Sequence, residues 1–263
     1  MDLVKIADAI NVLGRFCGMR DVAELNGENL YRRLGFSRAD VMVLFGGSIL
    51  AGGDILAEAM RNRAAEKYVI VGGAGHTTET LRQRVHTEFP SIFTEGRCEA
   101  EIFDDYLFAV YGMRADYLEK ASTNCGNNIT NLLDLLDQNR ISRDSMILCQ
   151  DASMQRRMDA GLRKFAPETT IVNYATYAVT ARVSGETLTF EQTPHGMWDM
   201  ERYVNLLMGE FPRLTDTPIG YGPAGKNFIA HVDVPDEAQE AFSILREAFG
   251  DQIREANPLY ASR

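Results

Sequence analysis

At 263 residues, 45% hydrophobic and 24% charged, the chain has an ordinary globular composition and enough length for one large domain, or one domain with a substantial appendage. Asp and Glu outnumber Lys and Arg by 37 to 27, and a net charge of −10 with no basic run opposes phosphate polymers and anionic membrane surfaces. Nucleic acid is therefore not an expected partner, whereas a small anion held by a local pair of arginines is compatible with this balance.

The first predicted element is a helix, with Leu3, Ile6, Ile10 and Leu13 on one face. Asp2, Lys5, Asp8, Asn11 and Arg15 interrupt its apolar pattern, unlike a secretory signal. After a short polar stretch comes a strand-length apolar run, Val41 to Phe45, ending in Gly46-Gly47-Ser48. Such runs suit strands buried on both faces of a parallel sheet. Ile55, Leu56, Ala59 and Met60 form a helical stripe, and the unit repeats with strand Tyr68 to Val71, turn Gly72-Gly73-Ala74-Gly75-His76 and a polar helical stretch. A further helix carries Ile102, Phe103, Tyr106, Leu107 and Val110. A short strand, Asp116 to Glu119, then runs into Ala121 to Gly126, followed by a helix with Ile129, Leu132, Leu133 and Leu136 inward. Strand Ser145 to Cys149 ends at Gln150-Asp151, a helix bears Met154, Met158 and Leu162, and Thr170 to Tyr174 is a fifth strand.

Alternation at this spacing specifies an α/β, Rossmann-like, doubly wound fold with a mostly parallel sheet and helices on both faces. Beyond Tyr174 the rhythm changes. Thr187 to Glu191 reads as an edge strand, Met197 to Met208 as a helix, and Gly209 to Lys226 as irregular chain. Asn227 to Val234 reads as a strand, and Ala238, Ala241, Phe242, Leu245 and Phe249 as a closing amphipathic helix. The expected division is a core of residues 36–195 and a smaller, mainly helical unit of residues 1–35 and 196–263 beside the ligand site. No segment approaches the ~20 apolar residues of a membrane-spanning helix. Four cysteines (Cys17, Cys98, Cys125, Cys149) lie far apart without a CxxC pair, and the four histidines are scattered. Reduced thiols in the cytoplasm and no metal site are expected.

Open parallel sheets bind ligands outside the carboxyl ends of their strands, near the topological switch point. Four loops would meet there: Gly46-Gly47-Ser48; Gly72-Gly73-Ala74-Gly75 with His76; Ser122-Thr123-Asn124; and Gln150-Asp151 leading to Arg156-Arg157. Glycines let a ligand approach backbone N–H groups, although any single such turn is as readily an ordinary βα connection. Gly73-Ala74-Gly75 resembles the opening of a dinucleotide fingerprint, but Thr78 stands where the third glycine belongs. Ser122-Thr123-Asn124 doubles as a helix N-cap. Glu119, at a strand end, can accept from ribose hydroxyls or face a ligand ammonium, or simply pair with Lys120 or Arg114. Glu99, in the first turn of a helix, serves either the helix dipole or the site. Arg156 and Arg157 point about 100° apart on a helix, so one can reach the site. Cys125 reads as a packing residue because no histidine lies near it in sequence. His76 reads as a ligand hydrogen-bond donor, with acid–base chemistry as its other role.

At these residues the chain resembles the YdcF-type branch of the SanA/ElyC-like family, a domain of unknown function. The matching stretches are Gly72 to His76, Arg97 to Ala100, Ser122 to Gly126, Gln150 to Arg157, Trp198 to Tyr203, Gly209 to Leu214 and Gly220 to Gly225, covering nearly the whole chain. The resemblance implies a Rossmann-like core and S-adenosylmethionine as ligand, with no established reaction. The broader family usually carries a histidine where this chain has Met154, and a Glu-Asn pair where it has Asn127-Asn128. Two acid–base candidates are thereby removed. The glycine-rich turn of ordinary methyltransferases is likewise missing after the first strand.

The expected function is binding of S-adenosylmethionine or a related adenosyl or nucleotide-like small molecule, with Glu119 or Glu99 on ribose or amino groups. The loop Gly220 to Gly225 is expected to wall the site, with Tyr221 or Tyr203 near the ligand. The alternative is a hydrolase or transferase acting on a phosphate-containing small molecule, with His76 and Glu99 moving protons and Arg156 or Arg157 on the anion.

Overall fold

The computed structural model describes residues 2–47, 49–75 and 77–250. Helix α1 (Leu3–Cys17) starts where the Asp2 carboxylate accepts from Val4 N and Lys5 N, and buries Ile6, Ile10, Leu13 and Phe16. Helix α2 (Gly27–Leu34) follows, in the stretch whose polarity conceals it from periodicity. Leu30 is its sole buried residue, and the Asn26 cap and left-handed Gly35 (φ +82°) bound it. The α/β core then runs β1 (Ala39–Phe45), α3 (Ala51–Arg61), β2 (Ala65–Val71), α4 (Thr78–Glu88), α5 (Glu99–Tyr111), β3 (Tyr117–Glu119), α6 (Cys125–Gln138), β4 (Ser145–Cys149), α7 (Gln155–Phe165) and β5 (Thr170–Asn173).

These five strands form one parallel sheet in the order β3-β2-β1-β4-β5. The chain builds outward from β1 to β3, returns to β4 beside β1, and builds outward again, so the switch point lies between β1 and β4. The central strands are apolar over Val41 to Phe45, Tyr68 to Val71 and Met146 to Cys149, where both faces are covered. Met42, Leu44, Ile70 and Ile147 pack with α3 and α5, while Val41, Val43, Phe45, Val69 and Leu148 pack with α6 and α7.

A third cluster joins α1 to a two-stranded antiparallel ribbon, β6 (Ala181–Ser184) and β7 (Thr187–Phe190), and to α8 (Met200–Leu214) and α9 (Asp236–Phe249). The expected edge strand is thus β7, off the main sheet and against α1. Helix α8 continues through Gly209 and past Pro212, where irregular chain was expected, because Phe211 and Leu214 are buried in this cluster. Asn227 to Val234 forms no strand: Phe228 N bonds back to the Tyr221 carbonyl and Ala230 N to the Ala160 carbonyl on α7, which leaves no ladder. The segment Val22 to Leu34 packs into the sheet's first cluster, apart from α1. Among the described residues no helix is long and apolar enough to cross a membrane.

Polar side chains help to fasten the third cluster to the sheet. Arg156 donates to the Phe16 carbonyl and stacks on its ring at 4.3 Å, Arg157 pairs with Glu210, and Trp198 donates to Asp151. With these ties the molecule should unfold as one unit. Ile10→Ala, at a fully buried site of the third cluster, should cost about 2–5 kcal/mol. Urea unfolding should then show one shifted transition, coincident by far-UV circular dichroism and by Trp198 fluorescence.

Candidate functional site

The turns after β1, β2 and β3 are knitted together at the carboxyl edge of the sheet. Gly46 N donates to the Val71 carbonyl (2.6 Å), Gly72 N to the Glu119 carbonyl (3.0 Å), and Gly73 N to Ser122 Oγ (3.2 Å). The start of α5 docks on the same strip, Glu99 N bonding the Gly73 carbonyl and Ala100 N the Gly72 carbonyl. The glycines are required by close approach. A Cβ on Gly46 would stand 2.9 Å from Glu99 Cβ and 3.2 Å from Gly72 Cα, and one on Gly73 would fall on the Ser122 carbonyl oxygen.

Under the paired turns lies Glu99, buried. Its Oε1 accepts from the Thr77 and Thr78 hydroxyls at 2.9 Å each, and the Gly47 N–H supplies a further bond. Burial pushes its carboxyl above the ordinary 4.5, and the three hydrogen bonds oppose that rise. Glu119, at the end of β3, is also buried. Its Oε1 accepts from Ala121 N (2.7 Å), Ser122 N (3.1 Å) and Asn131 Nδ2 (3.1 Å), while its Oε2 has no hydrogen-bond partner among the described residues. Ser122 is buried against Gly73, and Thr123 N and Asn124 N both donate to Asn127 Oδ1 as Asn124 caps α6. Gly75 N is taken by Thr78 Oγ1 (2.7 Å).

Gly46, Gly47, Gly72, Gly73, Gly75, Glu99, Glu119, Ser122, Thr123 and Asn124 are therefore one contiguous group. Ser48 and His76 lie outside the described residues. The backbone N–H groups expected to hold a ligand are already bonded within the chain at Gly46, Gly72, Gly73, Gly75, Ser122, Thr123 and Asn124. The polarity of this edge comes from its carboxylates.

The remaining candidates turn toward the third cluster. Asp151 is buried with protein partners on both oxygens: Ser153 N and Oγ and the Tyr177 hydroxyl on Oδ1, and Trp198 Nε1 on Oδ2. Arg156 is held by Phe16. Arg157 sits nearer the strand ends, beside Cys125 and Tyr221, but its guanidinium grips Glu210 at 2.5 and 2.9 Å. Burial disfavours that charge, yet Cys125 and Glu210 outweigh it and hold Arg157 above its ordinary value. Tyr203 is buried against Tyr177, Phe190 and Gly14. Tyr221 packs edge-on to Phe228, in a loop whose continuation bonds α7 through Ala230 N.

Sequence reasoning passed over Thr77 and Thr78, which serve Glu99; Gln150, placed among the strand-end loops, bonds the Gly46 carbonyl through its Nε2 (3.0 Å) across the switch point. Sequence reasoning also passed over Glu210. An acid amid the apolar positions Leu206, Leu207 and Phe211 of α8 is the signal that could have found it, since buried carboxylates demand a cation. No family model matches the chain.

Glu99's raised value fixes a sign. Its contribution to stability is complete below the ordinary 4.5 and is lost as pH rises through the folded value. Glu99→Gln keeps an oxygen for both threonines and should flatten that part of the stability–pH profile, read by urea unfolding. Breaking the other buried charge should be costly: Arg157→Met should lose about 3–5 kcal/mol, with Arg157→Met/Glu210→Met recovering most of it.

Proposed function

We propose that this chain binds a small adenosyl ligand, S-adenosylmethionine or a close relative, at the carboxyl ends of β1, β2 and β3, and that it does so in the cytoplasm. The ligand's identity rests on the resemblance to the YdcF-type branch. The observation that carries a ligand at this edge is the Glu119 carboxylate, held by three donors on one oxygen and, among the described residues, by none on the other. A buried unsatisfied polar group costs about 1–3 kcal/mol, more when charged, and a ligand hydroxyl or ammonium would relieve that. Ribose hydroxyls and an amino-acid ammonium are both donors, and an adenosyl sulfonium carries both. Four cysteines that are all free thiols fit a reducing compartment.

The phosphate-substrate reading needs an anion clamp. Arg157 is committed to Glu210 and Arg156 to the Phe16 carbonyl, so no observation favours it. A purified-protein titration by calorimetry tests the adenosyl reading directly. Wild type should bind S-adenosylmethionine, and Glu119→Gln should weaken binding about 10- to 100-fold, the worth of one charge-assisted hydrogen bond. Absence of heat with S-adenosylmethionine and its demethylated product, or equal affinity in the variant, would overturn it.

A further inference from the structure

The segment between β7 and α8 crosses the carboxyl edge as a strap. The His195 carbonyl accepts from Ala51 N (3.0 Å), and Met197 N closes a turn on the Pro194 carbonyl (3.0 Å). Trp198 Nε1 donates to Asp151 Oδ2 (2.8 Å). Gly196 (φ +75°) lies so low that a Cβ there would stand 3.0 Å from Leu50 N. The strap thus rests on the turns after β1 and β4, the two that flank the switch point. Ile49, Leu50, Thr77, Leu81, Gly196 and Trp198 border a cavity of about 10 Å³ at this place. That is room for about one water, against roughly 300 Å³ or more for a nucleoside-sized ligand. Thr77 links the cavity to Glu99 through its hydroxyl.

His195 fastens the strap to the core. Its Nε2 meets Glu88 Oε2 at 2.7 Å and its Nδ1 meets Asp54 Oδ2 at 3.2 Å. An imidazole donates from both nitrogens only when protonated, so this double acceptor pair matches the imidazolium and sets a lone pair against a carboxylate once the proton leaves. The Tyr106 and Tyr111 hydroxyls occupy Asp54 Oδ1 at 2.5 and 2.6 Å, and Tyr106 OH stands 3.3 Å from Nδ1. Arg84 lies 3.9 Å from Glu88, and Arg61 covers the Tyr111 ring at 4.9 Å. Of the other charges near the strap in sequence, Glu191, Asp199 and Glu201 are exposed and Arg202 lies over the Trp198 ring at 5.9 Å.

We propose that residues 194–198 are a lid on the strand-end site, latched shut by the Asp54–His195–Glu88 cluster and released when His195 loses its proton. This rests on reading that edge as a small-molecule site. Burial opposes the imidazolium, but the bonds to Glu88 and Asp54 outweigh it and raise His195 above the usual 6.5. The latch is therefore complete below 6.5 and is lost as pH rises through the raised value. Burial also raises Asp151, whose ionisation strengthens the Trp198 bond, an effect of opposite sign that does not pass through His195.

Trp198 is the chain's single tryptophan, so its fluorescence reports on the strap without any ligand. Acrylamide quenching of the 263-residue chain, followed from about pH 5.5 to about pH 9 to bracket a histidine, should show a shielded indole at the acid end. Quenching should rise with a midpoint above the usual histidine value. His195→Gln should lose the transition and be quenched throughout, and Glu88→Gln, a change outside the strap, should lower the midpoint. With S-adenosylmethionine as probe, the association rate of wild type should climb along the same curve and that of His195→Gln should stay flat. Wild-type quenching independent of pH, or a transition retained in His195→Gln, would overturn the lid, whatever binds. The quenching pattern without S-adenosylmethionine binding in any protein would keep the latch and sink the adenosyl reading.

Discussion

The carboxyl edge of this sheet depends on how closely the turns after β1 and β2 approach each other above a carboxylate. Gly46 and Gly72 face one another so tightly that a methyl group on either would strike Glu99 or the opposite Cα. Because neither turn carries a side chain there, α5 can enter with its first residue, Glu99, beneath both, its N–H on the Gly73 carbonyl. The carboxylate then gathers Thr77 and Thr78 from the start of α4. Gly73 continues the same close approach to β3, against the backbone of Ser122. One packing constraint thus places α4, α5 and the β3 turn relative to β1 and β2, and it occupies the amides of Gly46, Gly47, Gly72 and Gly73.

The same economy explains why the core was legible in the sequence and the site only in part. Strands buried on both faces read as apolar runs, and helices with one buried face read at spacing three and four, so β1, β2, β4, α6 and α9 are visible in residue order alone. Helix α2 is hidden because a single buried leucine makes no period. The extent of α8 is hidden because Gly209 and Pro212 read as breakers, while burial of Phe211 and Leu214, a tertiary effect, keeps the helix going. Glycine turns mark the carboxyl edge correctly. Whether a glycine offers its N–H to a ligand or merely lets two backbones meet is decided by atoms from distant segments, such as Ser122 and Glu99. Arg156 and Arg157 share that ambiguity, and their partners, Phe16 and Glu210, lie 140 and 53 residues away.

Buried charge is distributed unevenly over the two parts of the molecule. In the third cluster each buried acid has its partners: Glu210 is paired with Arg157 and lies 3.5 Å from Arg213, and Asp151 takes its bonds from Ser153, Tyr177 and Trp198. These contacts hold the helical unit against α7 and the β4 turn. At the carboxyl edge Glu99 is met by two hydroxyls and an amide, with the Arg82 charge acting on it, and among the described residues one oxygen of Glu119 is left unmet. A polar atom left without a partner in a chain that otherwise satisfies its interior acids marks a place where folding stability has yielded to something else.

That asymmetry bears on the kind of molecule the edge can receive. A phosphate-binding turn presents free amides, commonly at a helix N-terminus, and meets negative charge with donors. Here the amides of Gly46, Gly47, Gly72, Gly73 and Gly75 are occupied, and the charged groups buried beside them, Glu99 and Glu119, are acids. An anionic ligand would meet Glu99 and Glu119, while Arg156 and Arg157 are committed to Phe16 and Glu210. A ligand rich in donors, with hydroxyls on a ring or a positive charge on nitrogen or sulfur, would find acceptors already rigidly held by Ala121, Ser122 and Asn131. The chain's negative charge of −10 adds a weak, salt-screened bias in the same direction. Discrimination between ligands at this edge therefore follows from the sign of the charge the ligand brings, and the fold sets that sign by bonding its glycine amides to carbonyls and side chains of its own chain.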